Sequence, residues 1–225
     1  MSAPASAPAP APAPAPALRL TYFAIPARAF PIRFALRCAG VAFEDERITR
    51  EELLARRGGG SGGLPSTSAA IPLGQVPVLY VDGQAYTESV PLSRWAARRS
   101  ALYPADELAA LATEEAVAAL DEAWSKLPRH LEAAALREAR GVWVAEVAPK
   151  YLRRVAARVE ASGGPFVLGG ALSWADAWVC AFAEQLERGV YDHVPRDLLA
   201  GFPPLAGLVR AFKAHPLFAA HGAPM

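Results

Sequence analysis

Two largely apolar runs, Val76-Pro77-Val78-Leu79-Tyr80-Val81 and Gln84-Ala85-Tyr86-Thr87, flank an Asp82-Gly83 pair. A two-residue connection between antiparallel strands needs positive φ at both central positions, a conformation that glycine adopts freely and aspartate tolerates. The segment is therefore predicted to be a β-hairpin, and the residues before it must supply the strands and helix that complete a sheet.

Upstream, Leu18-Arg19-Leu20-Thr21-Tyr22-Phe23 reads as a short strand and Phe43 to Ile48 as a second. Between them Ala29 to Ala39 reads as a helix, with Ile32, Leu36 and Ala39 on one face and Gly40 as its stop. After the hairpin, Ser89 to Arg98 is again helical. The order βαβ-ββα, with a right-handed crossover between the first two strands, is the thioredoxin-like layout, and it occupies residues 18–99. Within it, Gly58-Gly59-Gly60-Ser61-Gly62-Gly63 holds too many glycines for a packed element and is expected to be a flexible loop.

From residue 105 to 222 only helical periods occur, which predicts an all-helical second domain. Leu120, Trp124, Leu127 and Leu131 form one stripe; Val144, Val147, Tyr151, Val155 and Val159 form another. Pro128 and Pro149 sit inside these runs, so each helix should kink or break there. A helix of about 15 residues is expected from Ser173, and a last one from Pro203 to Ala214. Residues 1–17 alternate alanine and proline and lack the apolar surface that would offset ordering entropy; they are expected to form a disordered arm.

Charge and cysteine content exclude several classes. With 23 basic against 22 acidic residues, a net charge of +1 leaves no electrostatic footprint for nucleic acid or an anionic membrane. No stretch approaches the roughly 18 uninterrupted apolar residues of a membrane span. Cys38 and Cys180 match no metal or redox spacing and read as small apolar residues in a reducing compartment. The four histidines, His130, His193, His215 and His221, form no ligand pair on a helix and no triad pattern with either cysteine, so no metal site is expected.

Chemistry is concentrated around the first strand and the hairpin. Tyr22, at the end of a strand, is either a core residue with a satisfied hydroxyl or a functional phenol. Val76-Pro77 suggests a cis bond just before the hairpin, with the backbone of Val76 available to an extended peptide ligand. Glu88-Ser89 opens a helix whose free N–H groups and dipole favour a carboxylate, though Ser89 also fits a plain N-cap. Ser173 and Asp176 form a capping box and carry no catalytic assignment.

Leu20-Thr21-Tyr22-Phe23, Arg28 and Pro31-Ile32-Arg33 resemble the first strand and helix of cytosolic glutathione transferases. So do Phe43-Glu44-Asp45-Glu46-Arg47, Ile71 to Leu79, and Asp82-Gly83 followed by Glu88-Ser89. In the helical half, Ala148-Pro149-Lys150-Tyr151-Leu152 and Leu168 to Asp176 are similar to the same family. The class it looks most like is sigma, which includes glutathione-dependent prostaglandin D synthases, and the likeness runs from Leu18 to about His221.

That resemblance implies a cytoplasmic homodimeric enzyme that takes glutathione as cosubstrate, with no metal, and joins it to small apolar electrophiles or isomerises or reduces a peroxide. Tyr22 would donate its hydroxyl proton to the glutathione sulfur and Arg28 would support the thiolate. A free thiol has a pKa of about 8.5, and lowering it by about two units corresponds to roughly 2.7 kcal/mol; one charge-assisted hydrogen bond supplies about 1.5–3 kcal/mol. Val76 and Pro77 would hold the cysteinyl backbone beside Gln75, Ser89 the γ-glutamyl carboxylate, Glu88 the ammonium, and Arg57 the glycyl carboxylate. Asp121 and Glu122 match acids that contact glutathione in the other subunit, and Glu122 fits a solvated helix face equally well. Trp124 and Arg129 align with the wall of the electrophile pocket, although the place of Trp124 in its stripe also fits plain core.

The sequence departs from the class at Pro26, Ala27 and Phe30, beside Arg28, and at Leu53, where sigma members carry a tryptophan that donates to glutathione. Loss of that donor is worth about 1 kcal/mol of binding. The Gly-rich insertion falls in the segment that closes over glutathione in the family. A second reading therefore stands beside the enzyme: a non-catalytic relative that serves as a structural protein or a carrier of apolar ligands.

Overall fold

The computed structural model describes residues 17–57 and 71–222. The expected disorder of residues 1–16 and the expected looping of Gly58 to Gly63 lie outside the described residues. Four strands form one mixed sheet in the order β2-β1-β3-β4, where β1 is Leu18–Phe23, β2 Glu44–Ile48, β3 Val78–Val81 and β4 Gln84–Tyr86. The β1–β2 pair is parallel and is bridged by helix α1 (Phe30–Cys38), while β1–β3 and β3–β4 are antiparallel. Asp82 and Gly83 take φ of 50° and 81°, as the tight hairpin requires.

Strand alternation gives the sheet two apolar faces. Leu18, Leu20, Tyr22 and Leu79 point into the main core with α1 and α3 (Ser89–Ala97), whereas Val78, Tyr80 and Ile48 meet Leu53 and Ile71 on the opposite face. Leu53 belongs to a helix the sequence reading left out, α2 (Arg50–Arg56). Its signal was present: the Thr49 hydroxyl accepts from the Glu52 N–H at 3.2 Å, and the Glu52 carboxylate accepts from the Thr49 N–H at 2.7 Å. This is a capping box with Glu in the fourth place.

The second half contains α4 (Glu107–Ser125), α5 (Ala133–Val142), α6 (Ala148–Ala161), α7 (Trp174–Glu187), α8 (Pro203–Ala214) and α9 (Pro216–His221). All of α7 except its last residue is buried, the mark of a central helix. Its Trp178 indole ties it to the first half, donating to the Ser93 hydroxyl of α3 at 2.9 Å, and Trp174 donates within the helical half to the Thr113 hydroxyl of α4 at 3.0 Å.

The two prolines act differently. Before Pro128 α4 has ended, so Leu120, Trp124 and Leu127 are core while Leu131 is 48% exposed and drops out of the stripe. At Pro149 the regular α-helix is interrupted, as expected, but without an intervening loop. A π-turn over Trp143–Val147 joins α5 to α6 and carries the chain past the missing N–H of Pro149. One extra residue in that turn shifts the phase of the stripe. Trp143, Ala148, Leu152, Val155 and Val159 become core, and Val144, Val147 and Tyr151 are only half-buried.

Candidate active site

A cleft of about 220 Å³ opens between the two halves. Leu73, Gln75, Val76 and Pro77 form one side, Thr87, Glu88 and Ser89 the end, and Asp121, Ser125 and Arg129 the helical wall, with Arg28 reaching between them. The Val76–Pro77 peptide is cis. Val76 lies two residues before the β3 ladder and makes no backbone–backbone bond among the described residues, so its N–H and C=O are open to a peptide laid along the cleft.

Ser89 is buried and is the first residue of α3 rather than its cap; the N-cap position belongs to Glu88, so the plain N-cap reading fails. Glu88 holds φ 71° and ψ 116° and makes no side-chain cap bond. A non-glycine residue in such a conformation costs on the order of 1–3 kcal/mol and is characteristic of ligand clamps. The first N–H groups of α3 have no helical acceptor, and they meet the cleft beside the Ser89 hydroxyl.

Arg28 sits in a 3₁₀ turn, Ala27–Ala29, just after β1. Its guanidinium donates to the Asp121 carboxylate and to the Ser89 hydroxyl (3.2 Å) from one nitrogen, and to the Ser125 hydroxyl (3.0 Å) from the other. It lies 4.9 Å from the Trp124 ring centre and 5.8 Å from that of Trp178, within cation–π range. Asp121 thus faces the cleft of its own chain. Glu122 turns away and pairs with Lys126 at 3.0 Å on the exposed helix face.

Tyr22 is only 6% exposed and is not part of the cleft lining. Burial is the largest influence on its phenol and pushes the pKa above the usual 10, against the opposing backbone N–H and charge of Arg28. The hydroxyl therefore stays protonated across the neutral range and is available as a donor. Its ring is held by the buried Arg33, whose guanidinium centre lies 5.7 Å from the ring centroid. Arg33 pairs with Asp45 at 2.8 Å and donates to the carbonyls of Ile25 (2.8 Å) and Phe23 (3.3 Å), pinning the loop after β1.

Two further expected residues sit outside the cleft lining. Arg57 lies outside the cleft lining and donates to the Gly74 carbonyl at 3.1 Å, folded against that glycine's backbone. Trp124 is fully buried; its indole N–H donates to the Tyr191 hydroxyl at 2.7 Å and its ring packs edge-on against Trp178 and Phe182, so it is core beneath Arg28. Leu53 faces away from the cleft, on the far side of the sheet. Four residues were missed: Leu73, Thr87 and Ser125, which line the cleft, and Tyr191 beneath it. Ser125 was findable, because it lies one helical turn after Asp121 and shares its face; Tyr191 follows α7 with no local pattern to flag it. Among the described residues no group of His, Cys, Asp and Glu is placed to hold a metal ion, and no helix is long and apolar enough to cross a membrane.

Comparison with known proteins agrees with this architecture. Residues 121–223 match the family profile "Glutathione S-transferase, C-terminal domain". The chain is 29% identical over 198 residues to glutathione S-transferase S1 of Drosophila melanogaster, spanning 87% of this chain and 73% of that one. It is 29% identical to a glutathione S-transferase of Anopheles gambiae over 85% of this chain and 88% of the relative. Against the solved structure of prostaglandin synthase D of Nilaparvata lugens, the fold superposes with a TM-score of 0.74 at 24% identity, covering 91% of this chain and 96% of that one. Profile and relatives make the chain similar to glutathione S-transferases, and its fold is that of the prostaglandin synthase structure.

Proposed function

We propose that the chain is a glutathione transferase, binding glutathione in the cleft beside Arg28 and conjugating it to apolar electrophiles. One observation carries the reading: Arg28, Ser89 and Asp121 meet at one end of a cleft whose side presents the unpaired backbone of Val76. A cation, a hydroxyl, free helix N–H groups and a carboxylate suit the zwitterionic γ-glutamyl end of glutathione. Its carboxylate takes Arg28 and Ser89, and its ammonium takes Asp121 and Glu88. Val76 and Pro77 hold the cysteinyl unit, Gln75 adds a polar contact, and Arg129 stands at the mouth on the electrophile side. Arg57 joins only if it leaves Gly74 for the glycyl carboxylate.

In this reading Tyr22 donates its phenol proton to the sulfur, and Arg28 adds positive charge. Both favour the thiolate, which is the nucleophile, so Tyr22 stabilises an anion and forms no bond to substrate. The same activated sulfur serves conjugation or the isomerisation or reduction of a peroxide. A cytoplasmic homodimer fits the relatives the chain resembles.

The test is Tyr22→Phe, assayed with chlorodinitrobenzene and by ultraviolet titration of bound glutathione. Loss of one charge-assisted donor should raise the thiol pKa by about two units and lower kcat/KM at neutral pH by about a hundredfold. If the thiol ionises at the same pH in the variant, Tyr22 is not the activating group.

A further inference from the structure

We propose a second ligand site, for a long-chain carboxylate, in the cavity between α7, α8 and the 3₁₀ turn Leu198–Gly201. The cavity has a volume of about 410 Å³, inside the range of roughly 300–1,000 Å³ typical of small-molecule sites. Leu186, Leu199, Ala206 and Val209 give it an apolar floor. Two arginines, Arg196 and Arg210, belong to its lining.

These cations are not spent on the protein. Lys213, on the same wall, pairs with Glu187 at 2.7 Å. Arg196 and Arg210 have no hydrogen-bond or ion-pair partner among the described residues, and the carboxylate of Asp197, also in the lining, lies beyond pairing distance of both. The fold also makes room for Arg196. Helix α7 ends in a Schellman motif, with the Gly189 N–H donating to Leu186 and the Val190 N–H to Gln185. At Gly189, which has φ +66°, a Cβ would fall 2.5 Å from Nε of Arg196, so the guanidinium lies across the bare backbone at the helix end. An arginine fork takes a carboxylate with two parallel bonds, and the floor below it takes the alkyl chain out of water. A neutral apolar guest would leave both guanidiniums unused, and a small anion would leave the floor wet.

Decanoate is the probe, titrated calorimetrically into the full chain with the cleft saturated by S-hexylglutathione. Binding should persist under that saturation. It should weaken about tenfold or more in the double variant Arg196→Gln with Arg210→Gln, and by a similar factor when decanol replaces decanoate. Ala206→Phe, which fills the floor, should abolish it while KM for glutathione stays unchanged. Displacement of decanoate by S-hexylglutathione, an unchanged affinity in the arginine double variant, or no binding at all would overturn the site. Binding of S-hexylglutathione itself is read separately and bears only on the cleft.

Discussion

Two aspartates of the helical half, Asp121 and Asp176, show how one side chain serves two ends. Asp176 is fully buried in the first turn of α7, where one oxygen accepts from the Val167 N–H at 2.9 Å and the other from the Ser173 N–H and hydroxyl at 2.7 Å each. Asp121 is partly exposed on the cleft wall and pairs with Arg28, 93 residues earlier in the chain. The first carboxylate completes backbone bonds that cannot be made otherwise. The second is held by a side chain that an incoming ligand can replace. Buried donors with a single acceptor make a structural element, and exposed pairs with exchangeable partners make a site.

The largest effect should come from breaking the buried member. Asp176→Ala strips acceptors from the Val167 and Ser173 N–H groups in a dry interior, each worth about 1–3 kcal/mol when orphaned, and removes half of the capping box. Urea denaturation should show a loss of about 2–5 kcal/mol. The folded fraction should keep its affinity for glutathione, since Asp176 is not part of the cleft lining. A change in affinity with unchanged stability would reverse the roles assigned to the two acids.

The pH dependence of stability sharpens the same contrast. Burial outweighs the opposing hydrogen bonds and lifts the Asp176 carboxyl from its usual 3.8 to about 6. The folded chain thus holds a proton in a window where the unfolded chain has released it. This contribution is fully present below about pH 4 and is lost as pH rises through about 6. Wild type should therefore gain stability relative to Asp176→Asn, which does not titrate there, as pH falls from about 7 to about 5. Urea midpoints of both proteins at the two values check it; a constant difference would mean that the buried carboxyl does not titrate in that window.

Next comes the cleft. Asp121→Asn keeps the shape and removes the charge that meets Arg28. If Asp121 also receives the ammonium of glutathione, KM for glutathione should rise by about tenfold, or 1.4 kcal/mol, with kcat nearly unchanged. Such a pattern marks uniform binding of ground and transition states. A fall in kcat with KM unchanged would move Asp121 from ligand binding to the support of Arg28 beside the reacting sulfur.

Legibility in the sequence follows the same division. Asp176 was readable because its partner Ser173 is three residues away, within one turn, and the hairpin was readable because Asp82-Gly83 encodes its own φ angles. Helix α2 carried an equally local signal in Thr49 and Glu52 that the glycines after it obscured. By contrast, no spacing rule connects Arg28 to Asp121, or Trp124 to Tyr191, 67 residues on. Those contacts exist only once α4 and α7 have packed, so Val76 and Ser89 were readable from local chemistry while Arg28, Asp121 and Arg129 came from family resemblance, which supplied identities but not directions. Arg57 shows the cost: the resemblance offers it as a contact to the glycyl carboxylate, yet here it donates to the Gly74 carbonyl. The phase error after Trp143 has the same origin: helical periodicity assumes a uniform helix, and the π-turn ahead of Pro149 adds a residue that no hydrophobic pattern counts.

The smallest expected effect tests the direction of a single neighbour. Glu122 follows Asp121, but a step of one residue turns a helical side chain by about 100°, onto a different face. It meets Lys126 in solvent, where an ion pair of two long, exposed side chains adds little to stability. Glu122→Gln should leave the melting temperature unmoved within error and KM for glutathione within about twofold. The resemblance to sigma-class proteins offers a different role, a contact to glutathione held by a second copy of the chain. A several-fold rise in KM that vanishes on dilution to monomer would establish that role. It would also place the partner's cleft against the outer face of α4, leaving Asp121 as the acid that serves its own chain and Glu122 as the one that serves the other.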